Sequence, residues 1–304
     1  MTTPAPPPRI HAILAREAPL AVVFRRGPSK QVQMLTWDLE SNKITQGQWL
    51  KHRAYTEGAD LTPDGRYLIY NAATHDPNLG TAQSYVAISK PPFFTALALY
   101  PTPDLDEGGA MFLDNHRFWV GATRAVPGGE DLLKEHGLKR VPAFPQDMQG
   151  LSPVDTPWMR RDGWALVDQR EEQEFGRLAA RVWVWEKPVS DGWLLQRTLT
   201  RGLCLRRAGP NGNWVWLSHE LHHPESAIPL ETEWADAWRG DVIFSRDGCL
   251  LRKTPDHPER VVADLTANRF EAVNAPYEGL SRMDRVAPQE RSDTQWHPLD
   301  SETL

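Results

Sequence analysis

One short block recurs in this chain. Glu57-Gly58-Ala59-Asp60-Leu61 leads into Thr62-Pro63-Asp64-Gly65-Arg66-Tyr67-Leu68-Ile69-Tyr70. Far downstream, Glu233-Trp234-Ala235-Asp236-Ala237 leads into Trp238-Arg239-Gly240-Asp241-Val242-Ile243-Phe244. Both copies read Glu-x-Ala-Asp, then a glycine turn, then an apolar strand that ends in an aromatic. A unit that returns in this way cannot bury its apolar face alone and must stack on its neighbours, which restricts the chain to repeat architectures. The strands within the repeat make that architecture a β-propeller of four-stranded antiparallel blades.

The rest of the chain agrees with an all-β class. Apolar and β-branched runs bounded by Pro, Gly, Asp and Asn predict hairpins over 31–37 with 44–50, 84–89 with 94–100, 182–185 with 193–199, and 249–252 with 260–265. A looser hairpin joins 213–217 to 227–230 around a histidine-rich loop. Asp64-Gly65, Asp162-Gly163, Asp191-Gly192, Asp247-Gly248 and Asn211-Gly212 are the dipeptides that tight turns demand, because glycine supplies positive φ without a steric cost. Helical periodicity is confined to residues 129–136.

These elements predict blades over 10–50, 56–100, 108–199, 201–230 and 233–265, with a final strand at 270–273 closing the ring beside 10–14. The two acidic blocks lie 176 residues apart (Glu57 to Glu233). At ~40–45 residues per repeat that is about four repeats, or three and an insertion. The stretch 122–160, rich in Pro and Gly, supplies the insertion, so five blades are expected and six is the alternative. The domain plan is then a disordered proline-rich tail over 1–8, the propeller over 9–280, and an irregular tail over 281–304.

The decapeptide Leu61-Thr62-Pro63-Asp64-Gly65-Arg66-Tyr67-Leu68-Ile69-Tyr70 resembles the WD40-like repeat of TolB-type propellers, and Phe244-Ser245-Arg246-Asp247-Gly248 is similar to part of it. In that repeat the Ser/Thr-Pro-Asp-Gly segment turns the chain between the first two strands of a blade. The resemblance covers about a tenth of the chain. It implies architecture and carries no catalytic residues. Fold does not assign activity on propellers, which serve as scaffolds, lectins and hydrolases alike.

Charge excludes one class of partner. The net charge is −6, where a general nucleic-acid binder carries a basic domain; room remains only for a local basic patch. The doublets Arg25-Arg26, Arg160-Arg161 and Arg206-Arg207 read as solvated surface. The first residues show no basic segment followed by an apolar one, and no run reaches membrane-span length, so a cytoplasmic protein without membrane contact is expected. Cys204 and Cys249, each in an apolar run, read as reduced buried thiols.

Three constellations are candidates for chemistry. His219-Glu220-Leu221-His222-His223 satisfies His-Glu-x-x-His, but zinc binding by that spacing needs a helix. The alternating run before it and Pro224 after it argue against one, leaving His219, His222 and His223 as loop ligands at most. Trp183-Val184-Trp185 and Trp214-Val215-Trp216 each place two indoles on one strand face, either packed between blades or exposed as a shelf for a sugar or a protein. Glu57, Asp60, Glu233 and Asp236, with Asp114, fall at the starts of innermost strands, where carboxylates line a channel or cap turns. No nucleophile elbow, dinucleotide loop or Walker lysine is present, and no cofactor is expected. The function that fits is a non-catalytic interaction scaffold for a protein partner within a bacterial multi-protein system. The alternatives are a hydrolase using Asp60, Asp114 and Asp236, and a carbohydrate- or small-ligand-binding propeller using the tryptophan shelf.

Overall fold

The structure, a computed structural model, describes residues 6–27, 31–73, 84–102, 109–122, 124–144, 157–203, 209 and 213–277, with the side chains of residues 57, 157 and 158 left aside. The chain divides into two compact units, Met1–Asp147 with Ala267–Leu304, and Met148–Thr266. The fold is all-β. Five sheets, mostly of four or five strands in sequential order, have the size and meander connectivity of propeller blades.

In the first unit, β1 (Arg9–Leu14), β2 (Leu20–Arg26), β3 (Val32–Asp38) and β4 (Ile44–Leu50) form the first sheet. The second contains β5 (Arg53–Leu61), β6 (Leu68–Ala73), β7 (Ser84–Ser89) and β8 (Ala96–Thr102). Both match the first two expected blades within a few residues. β2, β3 and β6 read as near-continuous apolar runs because both of their faces are buried. Phe24, Met34, Leu61, Leu68, Tyr70 and Phe94 belong to the core over these two sheets.

The third sheet is small. β9 (Ala110–Phe112) and β10 (Arg117–Val120) pair antiparallel. A helix, α1 (Gly129–Glu135), precedes β11 (Lys139–Arg140), which pairs parallel with β10. The helix covers the expected segment. Leu132, Leu133 and Leu138 are buried in a core shared with Tyr100, Phe112 and Phe118, so this part of the supposed excursion is integral packing.

The second unit opens with the short helix α2 (Pro157–Arg161). A five-stranded sheet follows: β12 (Ala165–Glu174), β13 (Arg177–Pro188), β14 (Leu194–Gly202), β15 (Val215–His223) and β16 (Ser226–Leu230). This corrects the expected boundary near residue 200. β14 pairs with β13 on one side and with β15 on the other, so the third and fourth expected blades redistribute into a short sheet and a long one. The last sheet, β17 (Trp234–Trp238), β18 (Asp241–Arg246), β19 (Cys249–Lys253) and β20 (Arg260–Asp264), falls where the final blade was expected.

The closing strand does not form. Residues 270–273 have no strand geometry, and β1 pairs with β2 alone among the described residues. Side chains direct the segment elsewhere. Asn268 donates to Gln33 and Gln46 on β3 and β4, and Phe270 packs against Trp49 of β4 with ring centroids 6.0 Å apart. The chain is thereby held across the opposite edge of the first sheet.

Candidate functional site

The resembled decapeptide forms the turn it implies. Between β5 and β6, the Thr62 amide donates to the Tyr67 carbonyl, the Tyr67 amide to Thr62 Oγ1, and the Arg66 amide to Asp64 Oδ1. Gly65 sits at φ 78°, the left-handed conformation that calls for glycine. The turn also joins its neighbours. The Glu17 amide, in the β1–β2 connection, donates to the Pro63 carbonyl. Asn115, in the β9–β10 turn, accepts from the Asp64 amide and donates to Glu17. Three consecutive sheets are therefore tied at one end through their first turns.

The acidic repeat has a common geometry and a different local role at each copy. Asp60 is the penultimate residue of β5, opposite Ile69, and Asp236 lies in the middle of β17, opposite Ile243; each is in the first strand of its sheet, but Asp60 falls near the end of that strand and not at its expected start, because the turn follows at Thr62. Asp60 is buried, and its Oδ2 accepts the Phe112 amide of β9 at 2.7 Å. It thus reaches a neighbouring sheet. Asp236 Oδ1 accepts the Ala237 amide at 2.7 Å and pairs with Lys187 Nζ at 2.6 Å, the ammonium lying 5.7 Å from the Trp164 ring. Glu233 is exposed just before β17, and the Glu57 side chain lies outside the described residues.

Asp114 corrects its expected place. It is in the β9–β10 turn and not in a first strand, where it accepts the His116 and Arg117 amides and the Arg117 guanidinium. Burial acts in the other direction, but these hydrogen bonds hold its carboxyl below the usual carboxylate range. Asp60, Asp114 and Asp236 each therefore accept a backbone amide.

The histidine segment is not a loop. His219, His222 and His223 lie on β15, which turns at Pro224-Glu225 into β16. On a strand, residues four apart are ~13 Å apart, so His219 and His223 cannot share one zinc ion. His219 is buried, His222 lies 3.6 Å from Glu220, and His223 packs on Trp193 with ring centroids 5.0 Å apart. Among the described residues no three His, Cys, Asp or Glu side chains gather in a way that could hold a metal ion.

The tryptophans divide into two pairs. Trp183 and Trp185 are buried and pack with Leu195, Leu221 and Phe244, which makes them core. Trp214 is 46% exposed. Trp216 is half-buried beneath the backbone of Gly209, where a Cβ would come within 2.3 Å of the indole. Cys249 is half-buried and not fully enclosed; burial, then the Asp264 and Asp247 charges, push its thiol up and away from reactivity. Cys204 and Asn211-Gly212 lie outside the described residues.

Sequence reasoning passed over one titratable cluster. His136, at the end of α1, has Nδ1 3.4 Å from the Tyr67 hydroxyl and packs edge-on against that ring. Burial, and then the Lys90 ammonium, push the imidazole down to about 4. An unfolded histidine titrates near ~6.5. Between those values the unfolded chain binds a proton that the folded chain refuses, so stability falls as pH drops through that window. After allowance for the exposed part of the ring, a loss of about 1–2 kcal/mol is expected. Urea unfolding at pH 7.5 and pH 4.5 measures it, and His136→Gln should remove most of the difference. The signal was the pairing of Tyr67 with a histidine 69 residues away, which no local pattern encodes.

No family model matches the chain, and no curated protein matches it. Among solved structures it is similar to a chain from a structural and mechanistic analysis of two prolyl endopeptidases, concerned with inter-domain dynamics in catalysis and specificity. The identity is 10%, the TM-score is 0.27, and the alignment covers 89% of this chain and 36% of that one. The chain thus spans about a third of that protein's length.

Proposed function

We propose that this protein is a non-catalytic interaction module, a propeller-type scaffold of WD40-like blades that docks a partner protein. One observation carries the reading: Asp60, Asp114 and Asp236, the carboxylates that the sequence offers for hydrolysis, are each engaged by a backbone amide. These bonds hold a turn at Asp114 and join two sheets at Asp60, which supports a structural role for the acids. The turn at residues 62–67 supports the WD40-like reading, since it sits between the first two strands of its sheet. Propeller scaffolds work in this way, presenting rigid sheet ends and loops to other chains.

Affinity capture from the native host tests the proposal. Stable recovery of a specific protein at physiological salt is the expected result. Recovery of none, together with turnover of glycoside or ester substrates that Asp60→Asn or Asp236→Asn abolishes, would replace it with the hydrolase. The exposure of Trp214 beside Trp216 favours a second reading, a stacking shelf for a small ligand or sugar. Titration with oligosaccharides, read by tryptophan fluorescence, distinguishes it.

A further inference from the structure

The doublet Arg25-Arg26 read as solvated surface, but the structure places it within a concentration of positive charge at one end of the first sheet. The register sets Arg9 directly opposite Arg26. One row inward, Arg25 lies between Ile10 and Gln33, and Gln33 faces Trp49. The chain leaving β4 adds Lys51 and Arg53. The segment returning after β20 adds Arg269, whose guanidinium donates to the Asn268 carbonyl while Asn268 is anchored to Gln33. Strands spaced ~4.8 Å apart put Arg9 and the end of β4 within about 15 Å.

This arrangement costs stability. Like charges directly opposite across a sheet repel. Arg25 is buried, and burial followed by the Arg269 charge lowers its pKa. The chain carries excess acid, net charge −6, yet Arg9, Arg26, Lys51 and Arg53 make no ion pair among the described residues. Cations gathered by strand register from separate segments make this sheet end an electropositive surface, and such a surface attracts an anionic ligand.

The chemistry of the patch selects its occupant. Single-stranded nucleic acid needs open aromatic faces on which bases stack, but the Arg25 guanidinium lies 5.5 Å from the Trp49 ring and Lys51 Nζ lies 4.5 Å from the Phe270 ring. A short acidic peptide fits the extent of the patch, and its carboxylates can each pair with a guanidinium through two parallel hydrogen bonds. We propose that this end of the first sheet is the docking surface for a carboxylate-rich segment of the partner protein, an inference that rests on the interaction-module reading above.

The test uses the full chain and a fluorescent polyglutamate peptide of about ten residues, followed by anisotropy at low and rising salt. Binding by the wild type that weakens with salt is expected. The variant Arg26→Glu/Lys51→Glu/Arg53→Glu should lose affinity by about tenfold or more, while Arg177→Glu, in the second unit, should bind as the wild type does. If the triple variant does not fold, Lys51→Ala/Arg53→Ala, at two exposed positions, should show a smaller loss in the same direction. Unchanged binding by the folded variants would overturn the proposal. So would tighter wild-type binding to an oligothymidylate of equal charge or to phosphatidylserine vesicles. In host capture, a partner retained by the wild type and lost by the reversed variant supports the patch. A partner retained equally by both sinks the patch and leaves the interaction module standing.

Discussion

Valine at position 47 is expected to destabilise the first unit by about 3–5 kcal/mol, more than any surface change in the chain. Gly47 lies in β4 where that strand passes the β7–β8 turn. A Cβ built there would come within 2.2 Å of the Pro92 carbonyl oxygen and 2.6 Å of the Met34 carbonyl oxygen. Both neighbours are backbone and cannot rotate away. The next residue secures the junction: the Gln48 amide donates to the Pro92 carbonyl at 2.9 Å, and the Gln48 side chain exchanges hydrogen bonds with Thr95. A side chain at position 47 would force the two sheets apart and break this latch. Urea unfolding monitored by circular dichroism should show the loss. A midpoint within experimental error of the wild type would show that the two strands are not so close.

The second large effect separates the two tryptophan pairs. Trp185→Ala should cost about 3–5 kcal/mol, the usual range for removing a buried indole, because Trp185 is 2% exposed within the core of the second unit. Trp214→Ala, at a position 46% exposed, should change stability by no more than about 0.5 kcal/mol. Thermal unfolding of the two variants, compared side by side, checks both values. Equal costs would mean that Trp214 is covered. The same pair of variants reports on function, since only the Trp214 substitution can weaken a surface ligand without unfolding the unit.

Much of the architecture was legible. The recurrence at Glu57 and Glu233 located the first strands of two sheets, and in both copies the aspartate faces an isoleucine of the next strand. The Asp-Gly turns at Asp64, Asp162, Asp191 and Asp247 are each followed by a glycine with positive φ. These features are local, and short-range sterics decide them. The histidine segment was misread because Pro224 marks a turn equally well after a loop and after a strand; pairing with β14 settles the matter. The boundary between the third and fourth sheets was missed for the same reason, since the partner of β14 is chosen by cross-strand packing and not by its own residues.

The strands that carry Asp60 and Asp236 were legible, but the place of Asp60 and Asp114 along the chain's elements and the bonding of all three were not. Asp60 reaches an amide 52 residues away, and Asp236 reaches a lysine 49 residues away. The basic end of the first sheet was equally hidden, because Arg9, Arg26, Lys51 and Arg269 come from separate segments and meet only through strand register. From the residues alone came the all-β class, the repeat, the tight turns and the strands themselves, because backbone sterics and apolar alternation act over a few neighbours. Which strands share a sheet, which acids are tied down and where charge accumulates were decided by tertiary structure, because partners distant along the chain become neighbours only once the sheets have formed.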